Sequence, residues 1–555
     1  MGVKIKITAL LVFSFFVAAN LLADSEKIHT GLTEEPQLQT TPLPEIVKPA
    51  KPELKLEADK KIKVEKFLIS GNKHVSTDEL LDSISRYKGE ELSVPQLLEL
   101  ADVLTRKYWE KGYVTSFAYI PVQKMERGIL EIEVVEGKPG KIIVANNKYY
   151  TTKFIGNHLA HVIDTEILDN RDLERGLLLL NEYPKLNVKA TLTKGEVAGT
   201  TDIIADTYEQ FYPMNFGLFF NNFGSRYTGQ NRLGLNWDWG NLTKHGDILS
   251  LTALVTPSEL DQLLYWKLGY VIPVNPYGTK LDFAYSKMDY EIGKELAILG
   301  IEGESEIFGF GVSHPLVRAR EKNLSWHAGL KRKTFENFLF EKLYDSSSDE
   351  YAVLDIGLKG DRILGRNHTY MNFNATTGLG TMLGGMSDAD YTSGSRPGIT
   401  DGSWMKFYLE LINIMKFGNC QLITRGAGQV ATDCLLTGEQ FVIGGPDSVR
   451  GFPTGEFLGD HGYMLTAELR TPFLPGQNML NKYVNWAFFA DHGATFYKDT
   501  LPGEESDNTL TGLGLGLRVY IPCHFNLRFD AAWPTSGDAS DDNERRYWFQ
   551  AALSF

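Results

Sequence analysis

The stretch "FNLRFDAAW", residues 525–533, alternates without a break. Leu527, Phe529, Ala531 and Trp533 share one face of an extended chain, and Asn526, Arg528 and Asp530 share the other. Successive side chains of a strand point to opposite sides, so this strand is apolar on one face and polar on the other. From about residue 213 onward the chain repeats that texture, in "DILSLTALVT", "TKLDFAYSKMDY", "YAVLDIGLKGDRI" and "TGLGLGLRVYI". Strands of roughly ten residues with one lipid-compatible face are the signature of a transmembrane β-barrel. A soluble β-sandwich alternates in a similar way, so the connections have to decide.

Sixteen strands can be counted between 213 and 555. The connections from even to odd strands are short: "GNLTKHG", "NPYG", "RAREKN", "LGRN", "KFGN" and "PCH", with "LPGQNMLNKYV" longer. Those from odd to even strands are mostly long: "NNFGSRYTGQNR", "ENFLFEKLYDSSSDE", the glycine-rich run from Gly380 to Ser403, "YKDTLPGEESDN" and "PTSGDASDDNERR". One end of short turns and one end of long loops describes an outer-membrane barrel, and a sandwich has no reason to sort its loops this way. The chain stops at "YWFQAALSF", with Phe549, Leu553 and Phe555 on one face. A closed barrel leaves no free edge, so this strand is expected to pair with the first. Its terminal aromatic also suits recognition by the machinery that inserts outer-membrane barrels.

Ahead of the barrel the periodicity is different. Residues 61–137 read as a β-α-α-β-β module, with Ser76 and Glu79 opening one helix, Ser93, Pro95 and Gln96 opening the next, and Gly112 closing it. Residues 138–207 repeat the order, with Asp172 expected to cap "LERGLLLLNEY" and the barrel running over 208–555. Residues 24–60 form a linker with prolines at 36, 42, 44, 49 and 52, a composition that buries no core; a short helix in it that plugs the pore is left open. Residues 1–23 read as a secretory signal peptide, with Lys4 and Lys6 before an apolar run and Ala18, Ala19 and Ala23 after it.

Composition removes other classes. A net charge of -14 argues against a nucleic-acid binder, and a mean hydropathy of -0.20 argues against a bundle of membrane helices. Three cysteines, Cys420, Cys434 and Cys523, make no disulfide framework. Cys420 and Cys434 fall at opposite ends of one strand, about 30 Å apart at ~3.3 Å per residue, so no bridge is expected. The histidines show no metal-ligand spacing, and HExxH, GxSxG and P-loop patterns are absent. Gly512, Gly514 and Gly516 alternate within a strand and face the lumen, where small side chains save space. Neither a catalytic site, a metal nor a cofactor is expected.

One long connection, about 432–462 between strands eleven and twelve, carries "GEQFVIGGPDSVRGF". With it, "AYIPVQKMERGILEIEVVEGKPGKI" (residues 118–142) and "LERGLLLLNEYPKLNVKATLTKG" complete a set of phrases in order along nearly the whole chain. The sequence resembles the transporters of bacterial two-partner secretion, within the Omp85 superfamily, and the two modules look like POTRA domains. The resemblance implies an outer-membrane barrel with periplasmic POTRA domains that exports a large unfolded exoprotein, of adhesin or haemolysin type, to the cell surface. It also implies that the long loop folds back into the lumen, bringing Val449, Arg450, Gly451 and Phe452 to the wall. On strand thirteen Phe489, Asp491 and Gly493 point one way while Phe488 and Ala490 point to lipid; these three match the family's partner motif on that strand, so the resemblance implies Asp491 as the partner of Arg450. Gly451 would allow a tight turn there, and Phe452 would pack on lumen side chains. Glu468 with Arg470, and Arg528 with Asp530, read as polar residues that solvate the inner wall.

The expected partners are the unfolded exoprotein, outer-membrane lipid and the assembly machinery, with no nucleic acid and a monomeric barrel. POTRA edge strands could hold an extended client by β-augmentation. The alternative within the superfamily is a factor that inserts other barrels. Two POTRA modules, rather than a longer array, and the proline-rich segment before them favour export.

Overall fold

The alternating segments close on themselves. The computed structural model describes residues 45–46 and 61–555, apart from 125–126, 212, 259–261, 341, 387–392, 401, 477 and 522–524. Sixteen antiparallel strands form one closed barrel. They are β1 Met214–Asn221, β2 Arg232–Gly240, β3 Ile248–Val255, β4 Leu263–Pro273, β5 Lys280–Glu291, β6 Glu302–Arg318, β7 Lys322–Leu339 and β8 Tyr344–Leu364. The ring continues with β9 Asn367–Gly378, β10 Met405–Phe417, β11 Cys420–Ala431, β12 His461–Pro472, β13 Val484–Phe496, β14 Asp507–Ile521, β15 Phe525–Ser536 and β16 Arg546–Ser554. β16 returns to β1, with Ser554 opposite Gly217 and Gln550 opposite Asn221. Phe216 and Phe555 extend that seam by exchanging backbone hydrogen bonds of 3.3 and 2.8 Å.

The outward positions are the apolar ones. Phe220, Leu233, Phe407, Leu465, Trp486, Phe488, Leu515, Trp533 and Leu553 are all exposed on the barrel surface, where only lipid can cover them. Among the described residues no helix is long and apolar enough to cross a membrane.

One loop expectation is corrected. "ENFLFEKLYDSSSDE" is not a loop: β7 and β8 run on through it, with Leu339 paired to Tyr344 and the ladder crossing one irregularity at Asn337–Phe338. Alternation persists there, so the strands keep pairing and leave a tall hairpin on the long-loop side. Cys420 and Cys434 are free thiols; Cys523, the signal peptide and the linker outside residues 45–46 lie outside the described residues.

The chain divides into two compact units, and the second holds Gln39–Tyr212 together with Thr243–Gly246. Its first module places Lys66–Ser70 parallel to Ile129–Val135, with Phe117–Tyr119 antiparallel on the far side. Helices α1 Thr77–Ile84 and α2 Val94–Glu110 cover that sheet, burying Leu80, Ile84, Leu97, Leu100 and Leu104. Ser76 caps α1, accepting the Glu79 N–H at 3.3 Å, and Gln96 Oε1 accepts the Ser93 N–H at 2.8 Å at the start of α2. The second module repeats the order with Lys138–Ala145, α3 Thr152–Ile163, α4 Asn170–Leu180, Leu186–Lys194 and Thr200–Glu209. The cap of α4 is Asp169, accepting the Arg171 N–H at 2.8 Å, and not Asp172. Asp172 lies in the first turn, where its charge still complements the helix dipole.

The repeat extends to a detail that periodicity does not carry. In the first module Asn72 Nδ2 donates to Val75 O and Thr77 Oγ1 at 2.9 and 3.0 Å; in the second, Asn147 Nδ2 donates to Tyr150 O and Thr152 Oγ1 at 3.0 and 3.2 Å. A glutamate from the end of the last strand closes each loop. Glu136 accepts the Lys73 and His74 N–H groups, both at 2.8 Å, and Glu209 accepts those of Lys148 and Tyr150 at 3.2 and 3.3 Å and that of Tyr149. Both loops turn through a left-handed residue, Gly71 in one and Asn146 in the other. Burial works to raise the Glu136 carboxyl, and these donors outweigh it and hold the group below the usual carboxylate range.

A further strand joins the second module. Glu45–Ile46, from the proline-rich linker, pair in parallel with Thr191 and Leu192 on the outer edge of the Leu186–Lys194 strand.

His158 supplies a pH dependence for this unit. Its ring is buried in α3, with Nδ1 2.8 Å from Phe154 O and Nε2 2.9 Å from Tyr183 Oη. Burial pushes its pKa below the ordinary value, against the Phe154 carbonyl, which favours the charged form. The unfolded chain therefore takes up a proton at about pH 6.5 that the fold refuses. Stability from this site is complete above about pH 6.5 and is lost as the pH falls towards the depressed native value. Thermal melts of a fragment spanning 61–211 should show a falling melting temperature between about pH 7 and 5, and His158→Gln should flatten that slope.

Candidate functional site

The connection between β11 and β12 does not stay outside. Phe441–Ile443 pair with Phe457–Gly459 as a small hairpin, and the turn between them carries Arg450 against the inner wall. Val449 and Phe452 are fully buried beside it and pack with Phe441, Ile443, Met464 and Leu510.

Arg450 is 3% exposed and all of its charge is answered. Its Nε donates to Asp491 Oδ2 at 2.7 Å and its Nη2 to Asp491 Oδ1 at 2.8 Å, a bidentate fork. The Arg450 backbone N–H reaches the same carboxylate at 3.1 Å. Nη1 donates to Glu468 Oε2 at 2.7 Å and lies 3.9 Å from Asp530 Oδ2. The guanidinium stacks over the Phe489 ring, 3.3 Å from its centroid. Trp548 of β16 closes the far side, its Nε1–H donating to Arg450 O at 2.7 Å.

The structure thus brings together every residue expected at this contact and adds several. Glu468, Arg470, Arg528 and Asp530 do not simply solvate the wall. Arg518 bridges Glu468 and Asp530 at 2.8 and 2.6 Å, Arg528 bridges Asp530 and Asp447 at 2.7 and 2.9 Å, and Arg470 meets Glu468 at 2.8 Å. Four guanidiniums and four carboxylates make a neutral cluster in which each buried charge has a partner, as burial requires. The signal available in the sequence was the spacing: oppositely charged residues two apart on one lumen-facing strand, twice, on strands near Asp491.

Glycines decide how close the loop comes. A Cβ on Gly514 would lie 2.2 Å from the Phe489 ring, so the ring lies flat over that position with Arg450 on its other face. A Cβ on Gly516 would meet Asp530 Oδ1 at 2.2 Å, and one on Gly493 would press on Ile443 and Val449 at 3.1 and 3.2 Å. Gly451 is needed for close approach rather than for an unusual turn: its φ is ordinary, and a Cβ would lie 2.8 Å from the Pro534 nitrogen. Of the C-terminal residues, Phe549 packs 6.3 Å from Phe220 across the seam, while Leu553 and Phe555 are exposed on the lipid side.

The sequence model of the haemolysin secretion/activation protein family, ShlB/FhaC/HecB, matches residues 199–519, and that of the ShlB-type POTRA domain matches 62–137. The chain belongs to that family. It is a two-partner secretion transporter of the Omp85 superfamily, an outer-membrane barrel with POTRA domains on its periplasmic side. The heme/hemopexin transporter protein HuxB of Haemophilus influenzae is 23% identical over 88% of this chain and 86% of its own. The outer membrane transporter CdiB of Dickeya dadantii is 25% identical over 68% of this chain and 66% of its own. Among solved structures, CdiB from Escherichia coli superposes with a TM-score of 0.72 at 20% identity, covering 98% of both chains. BamA from Haemophilus ducreyi shares the fold with a TM-score of 0.54 at 14% identity, covering 89% of this chain and 100% of its own.

In this transporter Arg450→Ala leaves Asp491 buried without its cation, a loss of about 3–5 kcal/mol in loop docking. Arg450→Lys keeps the charge and loses the fork, so it should behave closer to Arg450→Ala than to the native chain. Limited proteolysis of the folded barrel in detergent should cut within 441–457 in both variants and spare the native loop. Gly514→Val should produce the same cleavage by lifting Phe489, with every charged residue intact.

Proposed function

We propose that this transporter exports one or a few large exoproteins, of adhesin or haemolysin type, which arrive unfolded in the periplasm. The POTRA domains hold the client as an extended strand, and it then crosses the lumen once the loop carrying Arg450 yields space. The observation that carries this reading is a barrel whose lumen is occupied by a loop anchored through a neutral charge cluster, in a chain with two POTRA modules. A diffusion porin needs neither. β-Augmentation suits an unfolded client because backbone pairing reads no particular side chain.

In this reading Val449, Arg450, Gly451 and Phe452 form the loop's foot, and Phe489, Asp491 and Gly493 form its seat on the wall. Phe549, Leu553 and Phe555 serve the barrel's own insertion by the assembly machinery, and the barrel works as a monomer in outer-membrane lipid. No catalytic step or cofactor enters; folding of the client outside the cell biases the movement outward.

Comparison of a deletion strain with its parent tests the reading. Loss of one or two large proteins from the medium, with other outer-membrane barrels at normal abundance, is expected. A general fall in barrel abundance would instead assign the chain to barrel assembly.

A further inference from the structure

The loop has a second charged residue that the Arg450 cluster does not use. Glu439 sits on the first leg, in the short 3-10 turn Thr437–Glu439, and is 3% exposed. Its Oε1 accepts from Lys333 Nζ of β7 at 2.5 Å and from Tyr351 Oη of β8 at 3.0 Å. Lys406 Nζ of β10 lies 2.8 Å from its Oε2 and also donates to its backbone carbonyl at 2.8 Å. Gln429 of β11 donates to the same carbonyl at 3.1 Å. Phe335 and Tyr351 stack beside this contact, and a Cβ on Gly438 would meet them at 3.2 and 3.0 Å.

Arg450 and Glu439 therefore grip different walls with opposite charge. The first is held by β12, β13 and β16 and lies beside β15; the second is held by β7, β8, β10 and β11. The two sets adjoin at β11 and β12 and extend away from each other around the ring, to β7 for Glu439 and to β16 for Arg450. The two grips differ in chemistry. Around Arg450 the planar guanidinium forks onto Asp491 and also meets Glu468, which Arg470 and Arg518 hold in turn. Around Glu439 the cations are ammonium groups on flexible stems, each side chain still 15% exposed. An ammonium is strongly hydrated and makes point contacts, so freed Lys333 and Lys406 return to lumen water, and Glu439 does too. Freeing Arg450 would strand Asp491, which is 1% exposed, without its cation.

We propose that Glu439 is a second pin of the lumen loop and the one that releases: the leg from 432 to 440 swings away from β7, β8 and β10 while the hairpin from Phe441 and the tip at Arg450 stay seated, and the lumen opens on the Glu439 side. The proposal rests on the export reading for its purpose, but not for its test, which reads the pore itself.

The full-length protein, reconstituted in planar bilayers, supplies that test. Glu439→Gln should raise the open-state population about tenfold through loss of a charge-assisted contact, and Glu439→Lys more. Glu439→Lys combined with Lys406→Glu should return it towards the native level, which a loss of packing alone would not allow. Retained heat-modifiable migration of each variant excludes misfolding as the cause. The moving end is read separately in a cysteine-free background. Glu439→Cys with Lys406→Cys, joined by a short thiol cross-linker, should abolish opening and export. Glu456→Cys with Ser540→Cys, which pin the tip side of the loop through side chains that touch at 3.0 Å, should leave both intact. Unchanged conductance in Glu439→Gln and Glu439→Lys, or loss of opening when only the tip is cross-linked, would overturn the proposal. A deletion strain with a normal medium would refute export while leaving the conductance result standing.

Discussion

A guanidinium taken out of water costs several kcal/mol unless its charge and its donors are all answered, and Arg450 is almost wholly out of water. The rest of the lumen is arranged around that requirement. Asp491 takes the fork, Glu468 takes the remaining nitrogen, and each of these anions sits on a barrel strand whose backbone is fixed by its ladder. Because Glu468 and Asp530 would themselves be costly alone, Arg470, Arg518 and Arg528 follow. The cluster is thus a chain of obligations that begins with one buried cation, and it ties a long loop to the barrel wall.

Space is the second condition. A side chain as large as arginine can lie against a barrel wall only where the wall is thin. β14 is thinned by Gly512, Gly514 and Gly516, and β13 by Gly493. The register sets these gaps where they are needed: Gly514 is opposite Phe489, and Gly516 is opposite Asp530. Aromatic ring, guanidinium and carboxylates then stack in layers over bare backbone. The same economy seats Val449 over Gly493 and the Gly451 backbone against Pro534.

The POTRA modules solve a different problem with a repeated device. A strand must hand over to a helix through a tight loop, and the loop's N–H groups need acceptors once buried. Asn72 and Asn147 organise the loop from within, and Glu136 and Glu209 close it from the last strand of each module. The edge strand of the second module is partly covered by Glu45–Ile46 of the same chain. An exposed edge invites pairing, so an edge suited to an extended client is also one that the chain's own linker can occupy.

Much of this was legible in the residues alone. Alternation from Ile248 to Phe555, the sorting of short and long connections, and the two β-α-α-β-β runs determine the architecture, because each depends only on local periodicity and turn chemistry. Arg450 and Asp491 could be paired because a motif and a strand face together leave little choice. What tertiary structure decided is everything that depends on register between strands distant in sequence. That Glu468, Arg518 and Asp530 share one cluster, that Trp548 closes over the loop, and that Glu439 reaches Lys333 and Lys406 follow from which residues stand opposite each other around a closed ring. A two-residue period says which face a side chain takes; only the closed ladder says which partner it meets there.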